Sequence, residues 1–521
     1  MRFSGAMSLI VYMYLCRMSL KEKLHAALRR QALLGASVEL LTWDQEVMMP
    51  RAGAYHRAQV IGELAALHHQ NLTQAVLPLI REALHSSKST FTPSEIAQLQ
   101  IYLQEAEPIE KLPTDLVRTF SEVASQAQVV WAEARSRSDF SAFAPYLEKI
   151  IRLSQEKARY LGYEEEPYEA LLRLFERSLR PKAVEALFAE IREFLIQTLQ
   201  ACQKASLPAS EAPALRMAAA HQRALVEEVL TRIGWNPETN RLDLSPHPFC
   251  SGLSPKDVRL TIRIDEEDIL MALGSAMHEM GHALYEMGLP EEPLGWPITM
   301  AASLSIHESQ SRFWENHIGN SLAFWRFMYE KILPAYQPDW LSAYTPLTLA
   351  QRANLIKPHL IRIQSDEVSY HLHILLRFEL ERALINGDLS VSDLPAAWNE
   401  KMQKYLGLTP PSDALGVLQD IHWSMGSFGY FPTYSLGSFY AAQFAAAIER
   451  EHPDYLEAVA QGSFELPLAW LRTHIHAYGH TLTSEALCEQ ATGEPLSARY
   501  YQAYIRDKVA QLYEGLVALP A

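Results

Sequence analysis

The 521-residue chain is 48% hydrophobic and 21% charged, an ordinary globular balance that can bury a large core. Its formal net charge of −15 sets an acidic surface against phosphate backbones and excludes nucleic acid as a partner class. Four cysteines, Cys16, Cys202, Cys250 and Cys488, lie far apart with no CxxC pair, which excludes a disulfide framework and points to the reducing cytoplasm.

The N-terminus carries an apolar run, Leu9 to Cys16, behind Arg2. It is too short to span a bilayer. No small-residue cleavage site follows it, and Met13, Tyr14 and Leu15 are too bulky for a lipoprotein site ahead of Cys16. Met18-Ser19-Leu20-Lys21 has the look of a natural start, so residues 1–17 read either as an upstream extension or as one more helical turn packed on the body.

Apolar residues three and four apart then dominate, which predicts a mostly helical chain; Leu24 to Leu41, Ala183 to Leu199 and Val368 to Ile385 are clear cases. Turn residues cluster at Ser206 to Pro213 and at Trp235 to Pro255. One strand stands out: from Asp257 to Asp265, Val258, Leu260, Ile262 and Ile264 alternate with Arg259, Thr261 and Arg263. Its edge could receive an extended peptide.

A helix is predicted from an Asp265 N-cap to a Gly288–Pro290 stop. Inside it lies His278-Glu279-Met280-Gly281-His282, an HExxH motif. Residues four apart share a helical face, so the two imidazoles can hold one Zn²⁺ while Glu279 beside them reaches a water. Gly281 weakens the helix and can let another segment come close. A zinc site needs a third protein ligand. The next helical stretch, Ala301 to Asn316, offers His307, Glu308 and Glu315. His474, His476 and His480 form a rival histidine cluster, but spacings of two and four do not place all three on one helix face.

With these residues in place, the sequence resembles the carboxypeptidase Taq family of metallopeptidases, on several motifs in order. His247-Pro248-Phe249 matches HPF, Asp257 to Thr261 matches DxRxT, His307 to Gln310 matches HES/GQ after HExxH, and Gly416 to Trp423 matches GxxQDxHW. Ile361 to Asp366 matches IRxxAD with Ser365 in place of alanine. The Trp43 to Pro50 segment and Ala491-Thr492-Gly493 extend the likeness from about Met18 to the C-terminus.

The resemblance implies a mostly α, two-lobed, neurolysin- and gluzincin-like fold with a deep central groove and a small active-site β-sheet, formed as one peptidase domain over residues 18–521. It implies a zinc carboxypeptidase, with cobalt able to substitute, acting broadly on peptides with a free C-terminus and poorly next to proline. It also implies a homodimer, with no nucleic-acid or membrane partner. Glu308 becomes the third ligand with His278 and His282, and Glu279 the general base. Tyr434, then Tyr430 and His422, are oxyanion or substrate donors, with a core-aromatic part as the alternative for the tyrosines. Arg362 is the substrate-carboxylate group, or else the ion-pair partner of Asp366 four residues on. His247 and Arg259 either shape the substrate pocket or hydrogen-bond for structure. The alternative activity is an endo-acting oligopeptidase on the same scaffold. A rival of another class is a non-catalytic peptide-binding protein.

Overall fold

The computed structural model describes residues 18–86, 90–205, 207, 212–245, 247–513 and 519; the expectations for residues 1–17 and for most of the 206–213 turn lie outside them. Ser19 starts the first helix by a reciprocal cap: its side chain accepts from the Glu22 amide while Glu22 accepts from the Ser19 amide. Helices then follow one another along nearly the whole chain. The three helices singled out by periodicity lie within Leu20–Val47, Pro181–Gln203 and Glu367–Asn386.

Five helices bear on the site: α1 (Leu20–Val47), α2 (Ile269–Gly288), α3 (Leu304–Arg312), α4 (Glu367–Asn386) and α5 (Pro432–Glu451). Most buried apolar side chains join one large cluster, which includes Met277 and Met280 of α2 and Phe439 of α5. A second, smaller cluster joins Leu24 and Leu28 of α1 to Val76, Ile80, Leu99 and Trp296.

A three-stranded sheet packs on α2: β1 (Asn240–Leu244), β2 (Cys250–Ser254) and β3 (Asp257–Ile262), in the order β1-β3-β2. β3 pairs parallel to β1, with Leu242 opposite Leu260, and antiparallel to β2, with Cys250 opposite Leu260. Three expectations are corrected here. The alternating strand is central, so both of its edges are already hydrogen-bonded and cannot receive a peptide. The Trp235 to Pro255 stretch holds two strands as well as turns. The strand also stops at Ile262, and α2 begins behind Asp268, whose side chain accepts from the Leu270 amide at 3.0 Å, not behind Asp265. The Asp265 carbonyl is claimed instead by the buried Gln222 amide, at 2.7 Å.

The pleat sorts the DxRxT residues. Val258, Leu260 and Ile262 are buried in the main core. On the other register, Arg259 forks onto Asp257 at 2.8 and 3.0 Å, and its guanidinium lies 4.5 Å from the Trp43 ring, fastening α1 to the sheet. Thr261 shares a 2.7 Å hydrogen bond with Ser245 and accepts from the Phe249 amide at 3.0 Å, pinning the HPF turn beside β2.

Candidate metal centre and substrate site

α2 presents His278 and His282 on one face, their rings 5.0 Å apart. α3 crosses it closely because Gly281 has no side chain: a Cβ there would stand 2.5 Å from the Gln310 carbonyl oxygen and the Ser311 Cα. That approach delivers Glu308. Its Oε2 lies 3.7 Å from His278 Nε2 and 3.5 Å from His282 Nε2. From the other side α5 meets Glu308 at Gly437, where a Cβ would come within 2.5 Å of the Glu308 Cγ.

The start of α3 is held by charge. Ser303 caps it, accepting from the Ile306 amide at 3.1 Å, and the buried carboxylate of Glu176 accepts from the Ser305 amide at 2.8 Å. Beyond Arg312 the chain winds into a π-helical turn, Phe313–Gly319, where a helix was expected to run on to Asn316. The wider turn puts Glu315 against the far side of His278, its Oε2 accepting from Nδ1 at 2.8 Å. Arg312 lies between the two acids, donating from Nε to Glu308 at 2.7 Å and from Nη1 to Glu315 at 3.2 Å. Arg312 is a functional residue that sequence reasoning missed. Its signal was the spacing Glu308–Arg312–Glu315, which shares one helix face.

These contacts settle which atoms are free for a ligand. With Nδ1 donating to Glu315, His278 turns Nε2 toward Glu308. Burial opposes its charge, but Glu308 and Glu315 push the ring up to about 9, so an ion bound there would displace the Nε2 proton. His282 likewise has its Nδ1 occupied, 3.1 Å from the His307 carbonyl oxygen. Two imidazole nitrogens and a carboxylate oxygen, all within 4.8 Å of one another, fit a divalent cation of borderline softness. Among the described residues no other group of His, Cys, Asp and Glu side chains meets that test. Burial works against the charge of Glu308, but Arg312 and the two imidazoles hold it well below the usual carboxylate range. Burial pushes the Glu279 carboxyl up to about 7, with His278 opposing and Glu308 adding.

Glu308 also senses the aromatic cluster after the GxxQDxHW motif, its charge raising both Tyr430 and Tyr434. The two tyrosine rings lie 5.2 Å apart. The His422 ring is 5.5 Å from Tyr430, and its buried Nδ1 has no protein partner. Burial, with Arg362 and Arg377 adding and Asp420 opposing, lowers His422 to about 4, so the ring is neutral near pH 7. The rest of the motif is anchorage. Gln419 accepts from the Arg362 amide at 3.0 Å, and Trp423 donates to the buried Glu381 at 2.8 Å.

Arg362 is buried and pairs with Asp420, not with Asp366. Its Nε and Nη2 each stand 3.2 Å from the Asp420 carboxylate, and its Nη1 donates to the Tyr370 hydroxyl at 2.9 Å. That leaves one N–H on each terminal nitrogen, beside the Tyr434 ring at 5.0 Å. Asp366 instead caps α4, accepting from the Val368 and Ser369 amides. His247 is exposed, with its carbonyl accepting from Ser245 at 2.7 Å. Arg259 is occupied by Asp257 and Trp43. The rival histidines disperse: His476 bonds Gln310, His480 bonds Glu105 and the Ala301 carbonyl, and His474 stacks on Trp470.

The carboxypeptidase Taq (M32) metallopeptidase family profile matches residues 23–509. Thermostable carboxypeptidase 1 of Pyrococcus furiosus is 38% identical over 490 residues, which are 93% of this chain and 97% of that one. Carboxypeptidase 1 of Bacillus subtilis is 35% identical over 487 residues with the same two coverages. The solved M32 carboxypeptidase from Deinococcus radiodurans superposes with a TM-score of 0.90 at 35% identity, over 95% of this chain and 99% of that chain. Matched along nearly its whole length and furnished with a cation-ready His-His-Glu set, the chain belongs to the carboxypeptidase Taq family of divalent-metal peptidases and is a metallocarboxypeptidase.

Proposed function

We propose that the ion is zinc, with cobalt able to replace it, held by His278, His282 and Glu308, and that Glu279 is the general base for releasing residues from a free C-terminus. Broad specificity and poor cleavage next to proline belong to the same reading. Its chief support is the convergence of two imidazole nitrogens on Glu308 Oε2. A bound divalent ion supplies Lewis acidity, polarising the scissile carbonyl and easing loss of a proton from water. Glu279 takes that proton and hands it to the leaving amine. Tyr434, seconded by Tyr430 and His422, donates to the developing oxyanion. Burial keeps both phenols protonated, and the neutral His422 has one N–H to give. Arg362 meets the substrate carboxylate through the two N–H groups that Asp420 and Tyr370 leave free. The contacts of His247 and Arg259 favour a supporting part in the sheet over a place in the pocket.

The reading extends to one two-lobed peptidase domain over residues 18–521, supported by the two apolar clusters, and to a cytoplasmic homodimer. The free state of Cys202, Cys250 and Cys488 suits a reducing compartment, and no described helix is long and apolar enough to cross a membrane. The dimer rests on the resemblance and is checked by sedimentation.

The test compares a peptide with its C-terminal amide, following product masses in time alongside elemental analysis. A ladder from the free acid, an intact amide and one zinc per chain are expected; equal cleavage of both would assign an endo-acting oligopeptidase. Glu279→Gln should retain the ion and lose at least ~10²-fold in turnover. Turnover near wild type in that variant would remove Glu279 as the base.

A further inference from the structure

We infer that Glu286 and His307 form a polarised buttress that fixes His282 as a metal ligand, a proposal that rests on the reading of His282 as a ligand. Glu286 follows His282 by one turn on the same face of α2. His307 Nε2 lies 2.7 Å from Glu286 Oε1, and His307 Nδ1 lies 2.6 Å from His282 Nδ1. A pair of ring nitrogens at that distance shares one proton. The His307 backbone carbonyl, 3.1 Å from His282 Nδ1, can only accept, so His282 carries its proton on Nδ1 and His307 Nδ1 must be an acceptor. The Glu286 carboxylate is matched to that arrangement. His307 donates from Nε2 to Glu286, its bare Nδ1 accepts from His282 Nδ1–H, and His282 Nε2 is left as a lone pair facing Glu308.

The fold reserves space for this chain of contacts. At Gly252 in β2 a Cβ would stand 2.5 Å from Glu286 Oε2 and 2.7 Å from its Cγ, so the whole side chain would have to move. The His307 ring is steadied between His282, at 4.6 Å, and Tyr285, at 5.3 Å. The two imidazoles of the HExxH motif are therefore oriented differently: His278 by a carboxylate directly, His282 by a backbone carbonyl and by a carboxylate acting through a second imidazole. His307 and Glu286 are positioning residues, and carboxylate support of a ligating imidazole raises its basicity as well as fixing its tautomer.

The test measures Zn²⁺ affinity of the full-length apoprotein by competition with a chromophoric chelator. Glu286→Gln, whose amide permits either proton arrangement, and His307→Phe should each bind about 10- to 100-fold more weakly. Their metal-free unfolding temperatures should match the wild type, since a merely structural part would lower those first. Gly252→Ala, which alters no polar group, should weaken binding in the same direction. The inference is overturned if Glu286→Gln and His307→Phe bind as tightly as wild type while His282→Ala abolishes binding. If His282→Ala itself binds as wild type, the metal-site reading fails instead.

Discussion

Tyr434 carries one hydroxyl into a crowd of charges: burial, with Tyr430 and Glu308 adding, raises its pKa and outweighs Arg362, which lowers it, so it stays a neutral donor near pH 7. A phenol that cannot ionise is suited to meet a negative oxygen, which it stabilises without repelling it. Tyr434→Phe should therefore lose ~10²- to 10³-fold in kcat with KM little changed, and Tyr430→Phe less; steady-state kinetics on one dipeptide substrate decide it. Equal small losses would return both rings to the core. His278 and His282 were legible as a pair because a spacing of four shares one face of any helix, whereas the choice of Glu308 among three candidates came from the motif resemblance. The partner of Arg362 was not legible. Asp366, four residues on, invited a helical ion pair, yet the chain breaks at Ser365 so that Asp366 can cap α4, and the true partner, Asp420, is 58 residues away. The roles of Glu315 and His307 depend on which side of an imidazole they meet, which chain order does not contain.

At the scale of elements, the site is a stack in which α3 lies between α2 and α5, and glycines on both neighbours set its distance. The obstacle at Gly281 is backbone, which cannot swing aside as a side chain can. Gly281→Ala should cost about 1–3 kcal/mol by overpacking and weaken ion binding by shifting Glu308. Gly274 is the control: it lies in the same helix, and a Cβ there would meet nothing within 4 Å, so Gly274→Ala should stabilise by about 0.5–1 kcal/mol through helix propensity alone. Denaturant titrations of the two apoproteins measure the contrast, and similar effects of both would mean that the close crossing does not control the site. Long amphipathic helices such as α4 were legible because burial imposes a period of 3.6. The five-residue strands β1 and β2 were not, since their short segments amid Pro and Gly become strands only through pairing with β3. The π-helical turn at Phe313 has no sequence mark at all.

Across the whole molecule, buried titrating groups tie stability to pH in two opposed ways. His371, His373 and His476 are pushed down to about 3, each chiefly by burial. The unfolded chain takes up protons below about 6.5 that these folded sites refuse, so their contribution is lost as pH falls from there. Glu381 and Asp366 are pushed up by burial to about 7 and about 6, against the hydrogen bonds they accept. The folded chain keeps protons there that the unfolded chain releases, so these two add stability as pH falls toward their ordinary values near 4.5 and 3.8. Between pH 6.5 and 4.5 the two carboxyls offset two of the three histidines and leave one unmatched. Below that range the carboxyls are protonated in both states and the histidines act alone. Asp420 joins them: burial would raise it, but Arg377 and Arg362 hold it well below its ordinary value, so its pairing is lost in acid. Metal-free stability should thus fall by roughly 1.4 kcal/mol per pH unit, the share of the one unmatched histidine, between about pH 6.5 and 4.5, and more steeply below. Glu381 accepts from Tyr168, Trp423 and the Gly429 amide, holding the loop that follows His422. Glu381→Gln removes its proton uptake while preserving its shape, so the fall between pH 6.5 and 4.5 should be about twice as steep in that variant. Urea titrations followed by circular dichroism from pH 7 to 3 measure both curves. A wild-type curve as steep as that of Glu381→Gln would show that Glu381 is ionised in the folded protein.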